Sequence, residues 1–102
     1  MSFYKVEFTF SDYEKAKEMV NQLRDEKLIN GARIFEYNSI YKWKENEVDK
    51  KSYLISMHVQ QKLLKKVYNK IELIHPYEIP SIECYKINKL NKDYKKFLID
   101  SL

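Results

Sequence analysis

Hydrophobic and polar positions repeat along this chain with two different periods, and each change of period marks a predicted element. Residues 3–10 alternate between apolar and polar side chains, which predicts a half-buried β-strand. The stretch Ser11-Asp12-Tyr13-Glu14 has the spacing of a capping box, with Ser11 as the N-cap of a helix that ends near Lys27. The apolar positions of this helix are three and four residues apart: Ala16, Met19, Val20 and Leu23.

A long extended segment follows. Apolar and polar side chains alternate again over residues 32–44 and over the residues after 46. This pattern predicts a hairpin whose arms exceed the usual strand length of about 5–6 residues. Glu45-Asn46 is the predicted turn, because asparagine tolerates the left-handed backbone of a tight hairpin. Each arm has one face of large apolar side chains: Phe35, Tyr37, Tyr41 and Trp43 on the first arm, and Tyr53, Ile55, Met57 and Val59 on the second.

The last third of the chain predicts a helix, a strand and a short terminal helix. Pro76 disfavours the helical conformation for His75, so the second helix ends there. Residues 79–87 are a predicted strand, which Pro80 confines to the edge of a sheet. The second helix has the apolar stripe Leu63, Leu64, Val67, Tyr68, Ile71 and Ile74, and the terminal helix over residues 92–102 has Tyr94, Phe97 and Leu98 directed inward.

The order strand, helix, strand, strand, helix, strand predicts an α+β fold of the ferredoxin-like kind, with a C-terminal helix added. Right-handed crossovers then give a four-stranded antiparallel sheet with its helices on one face, in one domain over residues 1–102. The long hairpin has two explanations. Its aromatic face packs under the helices of its own chain, or a neighbouring subunit covers it, and the open edges favour the neighbouring subunit.

Composition narrows the class of protein. No apolar run approaches the length of about 20 residues that a membrane span needs, and the single cysteine, Cys84, agrees with a reducing, cytoplasmic compartment. Net charge is +4, yet only Arg24 and Arg33 are arginines, which argues against nucleic acid as a partner. Gly31 is the only glycine, so neither a P-loop nor a dinucleotide fingerprint can be written.

Three motifs stand in order along the chain. They are Ser39-Ile40-Tyr41-Lys42-Trp43, then His75-Pro76-Tyr77-Glu78-Ile79-Pro80, then Asn91-Lys92-Asp93-Tyr94 with the closing Phe97-Leu98. In sequence and order they resemble the motifs of the CutA family, the divalent-cation tolerance proteins. The resemblance covers nearly the whole chain. It implies a ferredoxin-like homotrimer in which extended hairpins complete the sheets of neighbours.

The resemblance also has departures that concern the metal. Bacterial members that bind copper carry a cysteine in the first strand and paired histidines before the proline, whereas Phe8 and Ile74 stand at two of those positions here. Only His75 remains, so the expected copper(II) affinity is weak. Cys84 is expected to be a small buried residue on the inner side of the last strand. Leu90 replaces the family's glycine before Asn91.

A ligand cleft between subunits is the second implication. The family has a lysine where this chain has His58, and His58 with Glu78 would form a pH-dependent pair in such a cleft. Tyr41, Trp43 and Tyr94 are expected to line it, or these residues form a structural polar network at the interface. No catalytic triad or carboxylate pair is visible, so an enzyme is not expected. Two alternatives to metal homeostasis stay open: a PII-like ligand-sensing regulator and an RNA-binding ferredoxin-like module.

Overall fold

A computed structural model describes residues 2–102 and gives an α+β fold with four strands and three helices. The order along the chain is the predicted one, with the two crossover helices between the first and second strands and between the third and fourth. The elements are β1 (Phe3–Phe10), α1 (Tyr13–Asp25), β2 (Arg33–Trp43), β3 (Asn46–Gln60), α2 (Gln61–Ile74), β4 (Ile82–Lys86) and α3 (Lys92–Asp100).

The four strands form one antiparallel sheet in the order β2-β3-β1-β4, which is the ferredoxin-like order. The predicted edge position of the last strand is confirmed, but its start is not: β4 begins at Ile82 and Pro80 lies in the preceding loop. The reason is at the end of β1. Phe8 is the last residue of β1 to pair with β4, and the backbone carbonyl of the next residue, Thr9, accepts a hydrogen bond from the His75 ring instead.

The core lies between one face of the sheet and the helices α1 and α2. Apolar side chains of β1 and β3 point alternately toward these helices and exclude water, which is the main favourable contribution to folding. The buried set is Val6, Phe8, Phe10, Ala16, Met19, Val20, Leu23, Leu28, Ile29, Ile55, Met57, Val59, Val67 and Ile71.

The third helix lies on the opposite face of the sheet, so the helices are not all on one face. Tyr94 contacts the ring of His58, whose side chain points away from the core because its neighbours Met57 and Val59 point into it. Leu98, one helical turn after Tyr94, is also buried. The predicted inward position of Phe97 is wrong: its side chain is 52% exposed, because the residue at i+3 falls beside the Tyr94–Leu98 contact stripe.

The N-cap of α1 is Asp12 and not Ser11. The backbone of Asp12 is extended at the cap. Its side chain accepts hydrogen bonds from the backbone amides of Glu14 and Lys15, at 2.9 and 3.2 Å. A carboxylate is a stronger acceptor for these amides than a hydroxyl, and it interacts favourably with the positive end of the helix dipole. Every helix among residues 2–102 falls short of the length and apolarity needed to cross a membrane.

The hairpin turn is also shifted by one residue. Lys44 and Glu45 form the loop with φ of 45° and 73°, and Asn46 already pairs with Trp43 as the first residue of β3. Two consecutive positive φ values define the twist-compatible two-residue turn of a hairpin. Beyond the end of β1, which pairs Phe10 with Tyr53, residues 46–52 pair only with β2. The hairpin therefore projects from the body and gives the molecule its longest extent, 46 Å against 26 and 21 Å.

Candidate functional site

A cavity of about 470 Å³ lies on the projecting hairpin. Alternate residues of a strand share one face, so Tyr37, Tyr41 and Trp43 of β2 line the cavity together. Val48 and Lys50 of β3 lie beside them in the neighbouring strand. We name this space, with the hairpin residues that line it, the aromatic cavity.

The aromatic cavity opens on the face of the sheet opposite to α1 and α2. Residues of β3 with odd numbers, such as Ile55, are buried against these helices, whereas Val48, Lys50 and Ser52 line the cavity. The explanation that the hairpin aromatics pack under helices of their own chain is therefore wrong. Tyr41 remains 39% exposed.

The loop between α2 and β4, residues 75–81, forms the second wall. Tyr77 and Glu78 reach the aromatic cavity from this loop. The Lys50 ammonium lies over two tyrosine rings, 5.9 Å from the centroid of Tyr41 and 5.5 Å from that of Tyr77. The Glu78 carboxylate accepts from the Lys44 ammonium at 3.1 Å, so an ion pair joins the loop to the tip of the hairpin. Both groups are well exposed, and such a pair contributes at most about 1 kcal/mol.

Two of the five predicted cleft residues lie elsewhere. His58 and Tyr94 have ring centroids 5.5 Å apart and line a separate cavity of about 210 Å³ between the sheet and α3. Burial lowers the pKa of His58 below 6.5, and the positive charges of Arg33 and Lys5 lower it further. Within one chain the structure brings Tyr41, Trp43 and Glu78 together, and His58 with Tyr94, but it does not pair His58 with Glu78.

Sequence reasoning missed Lys50 and Tyr77 as members of the site. A signal for Lys50 was present: once the hairpin turn is placed at Lys44-Glu45, the period of two puts Lys50 on the same face as Trp43. Tyr77 has no comparable signal, because a residue in a loop carries no periodicity that would assign its side chain to a face.

His75 is held at three points. Its Nε2 is 2.7 Å from the carbonyl oxygen of Thr9, and its Nδ1 accepts from the backbone amide of Tyr77 at 3.2 Å. A carbonyl oxygen can only accept, so Nε2 carries the proton and the ring is neutral. The ring also stacks on Phe10, with centroids 4.6 Å apart and an angle of 9°.

His75 is buried, and its ring points away from the end of α2. The residue is only 8% exposed, and burial lowers its pKa below 6.5 although the hydrogen bond to Thr9 acts in the other direction. Its backbone amide closes the last turn of α2 on the Ile71 carbonyl, 2.9 Å away, but its ring turns to β1 and not to the helix end. Pro76 does end the helix after Ile74, as predicted.

The donors present do not fit a resident metal ion in a single chain. Both nitrogens of His75 are already used, and copper(II) or zinc needs a free nitrogen lone pair. The prediction that Cys84 is buried is wrong. The residue pairs with Val6 and so shares the inner face, but it is exposed because α1 and α2 pack over β1 and β3 and leave the edge strand uncovered. Among residues 2–102, no group of three or more His, Cys, Asp or Glu side chains could hold a metal.

The fold and the aromatic cavity define a small ferredoxin-like α+β protein whose long β-hairpin carries a candidate ligand site. The sequence profile described as "CutA1 divalent ion tolerance protein" matches residues 4–101. The chain therefore belongs to the CutA1 family of divalent ion tolerance proteins.

Individual relatives agree with this assignment. The divalent-cation tolerance protein CutA of Pyrococcus horikoshii is 30% identical over 90% of each chain. That of Thermotoga maritima is 31% identical over 92% of this chain and 93% of its own. The crystal structure of the divalent ion tolerance protein CutA1 from Ehrlichia chaffeensis superimposes with a TM-score of 0.90 at 28% identity, over 97% of this chain and 94% of its own.

Proposed function

We propose that this protein serves divalent-cation tolerance as a non-catalytic homotrimer that binds a small ligand between subunits. The observation that carries the proposal is the aromatic cavity, a set of large side chains on a sheet face that no helix of the same chain covers. Exposed tyrosines beside a half-buried tryptophan on a projecting hairpin are costly for a protein that remains a monomer, and they are typical of interfaces and binding sites.

The projecting hairpin supports the trimer. Residues 46–52 of β3 have a partner on one side only, and β2 and β4 are open edges of the sheet. Open strand edges pair readily with another chain, and a neighbouring subunit would satisfy them. A closed ring of three copies would use both edges of each sheet with one kind of contact.

The two separate parts of the predicted cleft support a site between subunits. Tyr41, Trp43 and Glu78 form one half on the hairpin side, and His58 with Tyr94 forms the other half beside α3. Both halves lie on the same face of the sheet, outside the α1–α2 core. A neighbour that docks on this face brings the first half of one chain to the second half of another.

A resident metal is not part of the proposal, because the donor set of the described residues does not fit one. Weak copper(II) binding at surface groups is compatible with the proposal but does not carry it. The family role in cation tolerance would then depend on the ligand bound in the cleft. A cytoplasmic location stays a prediction.

Two measurements test the proposal. Light scattering coupled to gel filtration should give three times the 12.5 kDa chain mass at micromolar concentration. Trp43 is the only tryptophan, so its intrinsic fluorescence reports on the aromatic cavity alone. We expect a saturable change when metabolites or divalent cations that bind there are titrated. Tyr41→Ala should abolish this change. Tyr13→Ala should leave it intact, because Tyr13 lies at the start of α1 and packs against Tyr53 on the opposite face of the sheet. A stable monomer contradicts the trimer, and a response that survives Tyr41→Ala contradicts the site.

A further inference from the structure

A second cavity of about 470 Å³ lies at the opposite end of the strands from the hairpin tip. It forms where β4 leads into α3 beside the first residues of β1. Lys86, Lys89 and Lys95 line it together with Ser2 and Asn88. The amide of Ile87 donates to the Phe3 carbonyl at 3.0 Å and fixes the linker against β1. We name this space, with its three lysines, the lysine cavity.

Every polar side chain of the lysine cavity can donate a hydrogen bond. The three ammonium groups only donate, and the Ser2 hydroxyl and the Asn88 amide donate as well as accept. Among the described residues 2–102, those that line the cavity include no carboxylate. A donor set of this kind is complementary to an anion and repels a cation.

The three lysines of the cavity take part in none of the ion pairs among residues 2–102. Those pairs involve Lys42, Lys44, Lys51, Lys70 and Lys96. Three like charges around one concave surface focus a positive potential there, and the charges repel one another until an anion enters.

We propose that the lysine cavity binds a small oligophosphate anion. Its volume lies within the range of about 300–1,000 Å³ that small-molecule sites occupy. Lysine binds phosphate as a flexible point charge, and three such charges match the three or four negative charges of pyrophosphate or triphosphate. The only aromatic residue in its lining, Phe3, is 4% exposed and offers no free ring face for a base. Recognition therefore concerns the phosphates, and triphosphate and ATP should bind with similar affinity.

The test is calorimetric titration of the native protein with sodium triphosphate, pyrophosphate and inorganic phosphate at low ionic strength. We expect one saturable site per chain, with affinity that increases with the charge of the anion. Lys89→Gln should weaken triphosphate binding roughly tenfold, as expected for the loss of one charge-assisted hydrogen bond. Lys15→Gln, an equal loss of charge on α1 outside the cavity, should change the affinity less than twofold. Both lysines are exposed, so the melting temperatures of the variants should match the native protein.

Three results would overturn the proposal. The first is the absence of saturable binding by triphosphate at low salt. The second is an equal loss of affinity in Lys89→Gln and Lys15→Gln, which would show that only the general positive charge of the surface attracts anions. The third is tighter binding of a single-stranded uridine oligonucleotide than of triphosphate, which would assign the lysines to nucleic acid. Changes in amide chemical shift on triphosphate addition that are confined to Ser2, Phe3, the segment 86–90 and Lys95 would support the proposal.

Discussion

Removal of the His75 ring should destabilise the protein more than any other single change in the loop that it anchors. His75→Ala takes away a ring stacked on Phe10 and both hydrogen bonds, to the Thr9 carbonyl and from the Tyr77 amide. Truncation of a large buried aromatic side chain costs about 3–5 kcal/mol, and a net hydrogen bond contributes about 1 kcal/mol. Because histidine is smaller than phenylalanine and its hydrogen-bond partners are partly accessible to water, we expect about 4 kcal/mol.

A second variant separates packing from hydrogen bonding. His75→Phe keeps a ring in the stack but cannot donate to Thr9 or accept from Tyr77, so it should lose about half of that energy, about 2 kcal/mol. Leu73→Ala is the control in the same helix turn, since Leu73 is 83% exposed and its loss should cost less than about 0.5 kcal/mol. Urea unfolding at one fixed protein concentration measures all three. A cost below 1 kcal/mol for His75→Ala would refute the anchoring role.

The acid stability of the protein tests the same geometry. The pKa of His75 is below its ordinary value of 6.5 in the folded protein, because burial opposes the charged ring. Between the two pKa values the unfolded chain binds more protons than the folded one, so the stability from neutral His75 is complete above pH 6.5 and is lost as the pH falls below it. His75→Phe should therefore unfold with a smaller loss of stability between pH 7 and pH 5. An unchanged pH profile would contradict the neutral ring.

Three further predictions concern other parts of the chain. Asp12→Ala should cost about 1 kcal/mol because it removes the acceptor for two first-turn amides, whereas Ser11→Ala should cost less than about 0.5 kcal/mol; thermal unfolding distinguishes the two. Glu45→Gly should raise the unfolding free energy by about 1 kcal/mol, since Glu45 has a φ of 73° and its replacement leaves the Lys44–Glu78 ion pair in place; a lower stability would contradict the turn assignment. The pKa of His58, followed by NMR, should lie below 6.5, and a value above 7 would contradict its burial beside positive charges.

The strands and helices were predictable because their patterns have a fixed period. Apolar and polar residues alternate in β1, and apolar residues are three and four positions apart in α1 and α2. Each pattern arises because the element buries one of its faces in the core. The errors fall where no period applies. Ser11 and Asp12 are both good caps, and the choice between them depends on where the backbone leaves the strand. Lys44-Glu45 adopts a turn with positive φ that its residue types do not favour, because the pairing of β2 with β3 imposes it.

The candidate site was predictable only in part, for a different physical reason. The aromatic side chains of β2 share a face through strand alternation, and their place together follows from sequence. Which other residues join them depends on tertiary contacts. Glu78 comes to Tyr41 and Trp43 through a loop, whereas His58 lies on the same sheet face but farther along β3, beside α3. Strand periodicity gives the face of each residue but not its distance from the others, so the sequence could not show that the two groups lie apart within one chain.

The segment His75-Pro76-Tyr77-Glu78 shows how residues with the chemistry of a metal site can hold a structure instead. Pro76 ends α2, and the freed ring of His75 then reaches back to the last residues of β1. The same ring accepts a hydrogen bond from the backbone amide of Tyr77, and this bond fixes the direction in which the loop leaves the helix. As a result Tyr77 and Glu78 meet the hairpin and complete the aromatic cavity. A metal that took either nitrogen of His75 would break one of these two hydrogen bonds, so metal ligation by His75 would weaken the attachment of the loop that carries Tyr77 and Glu78.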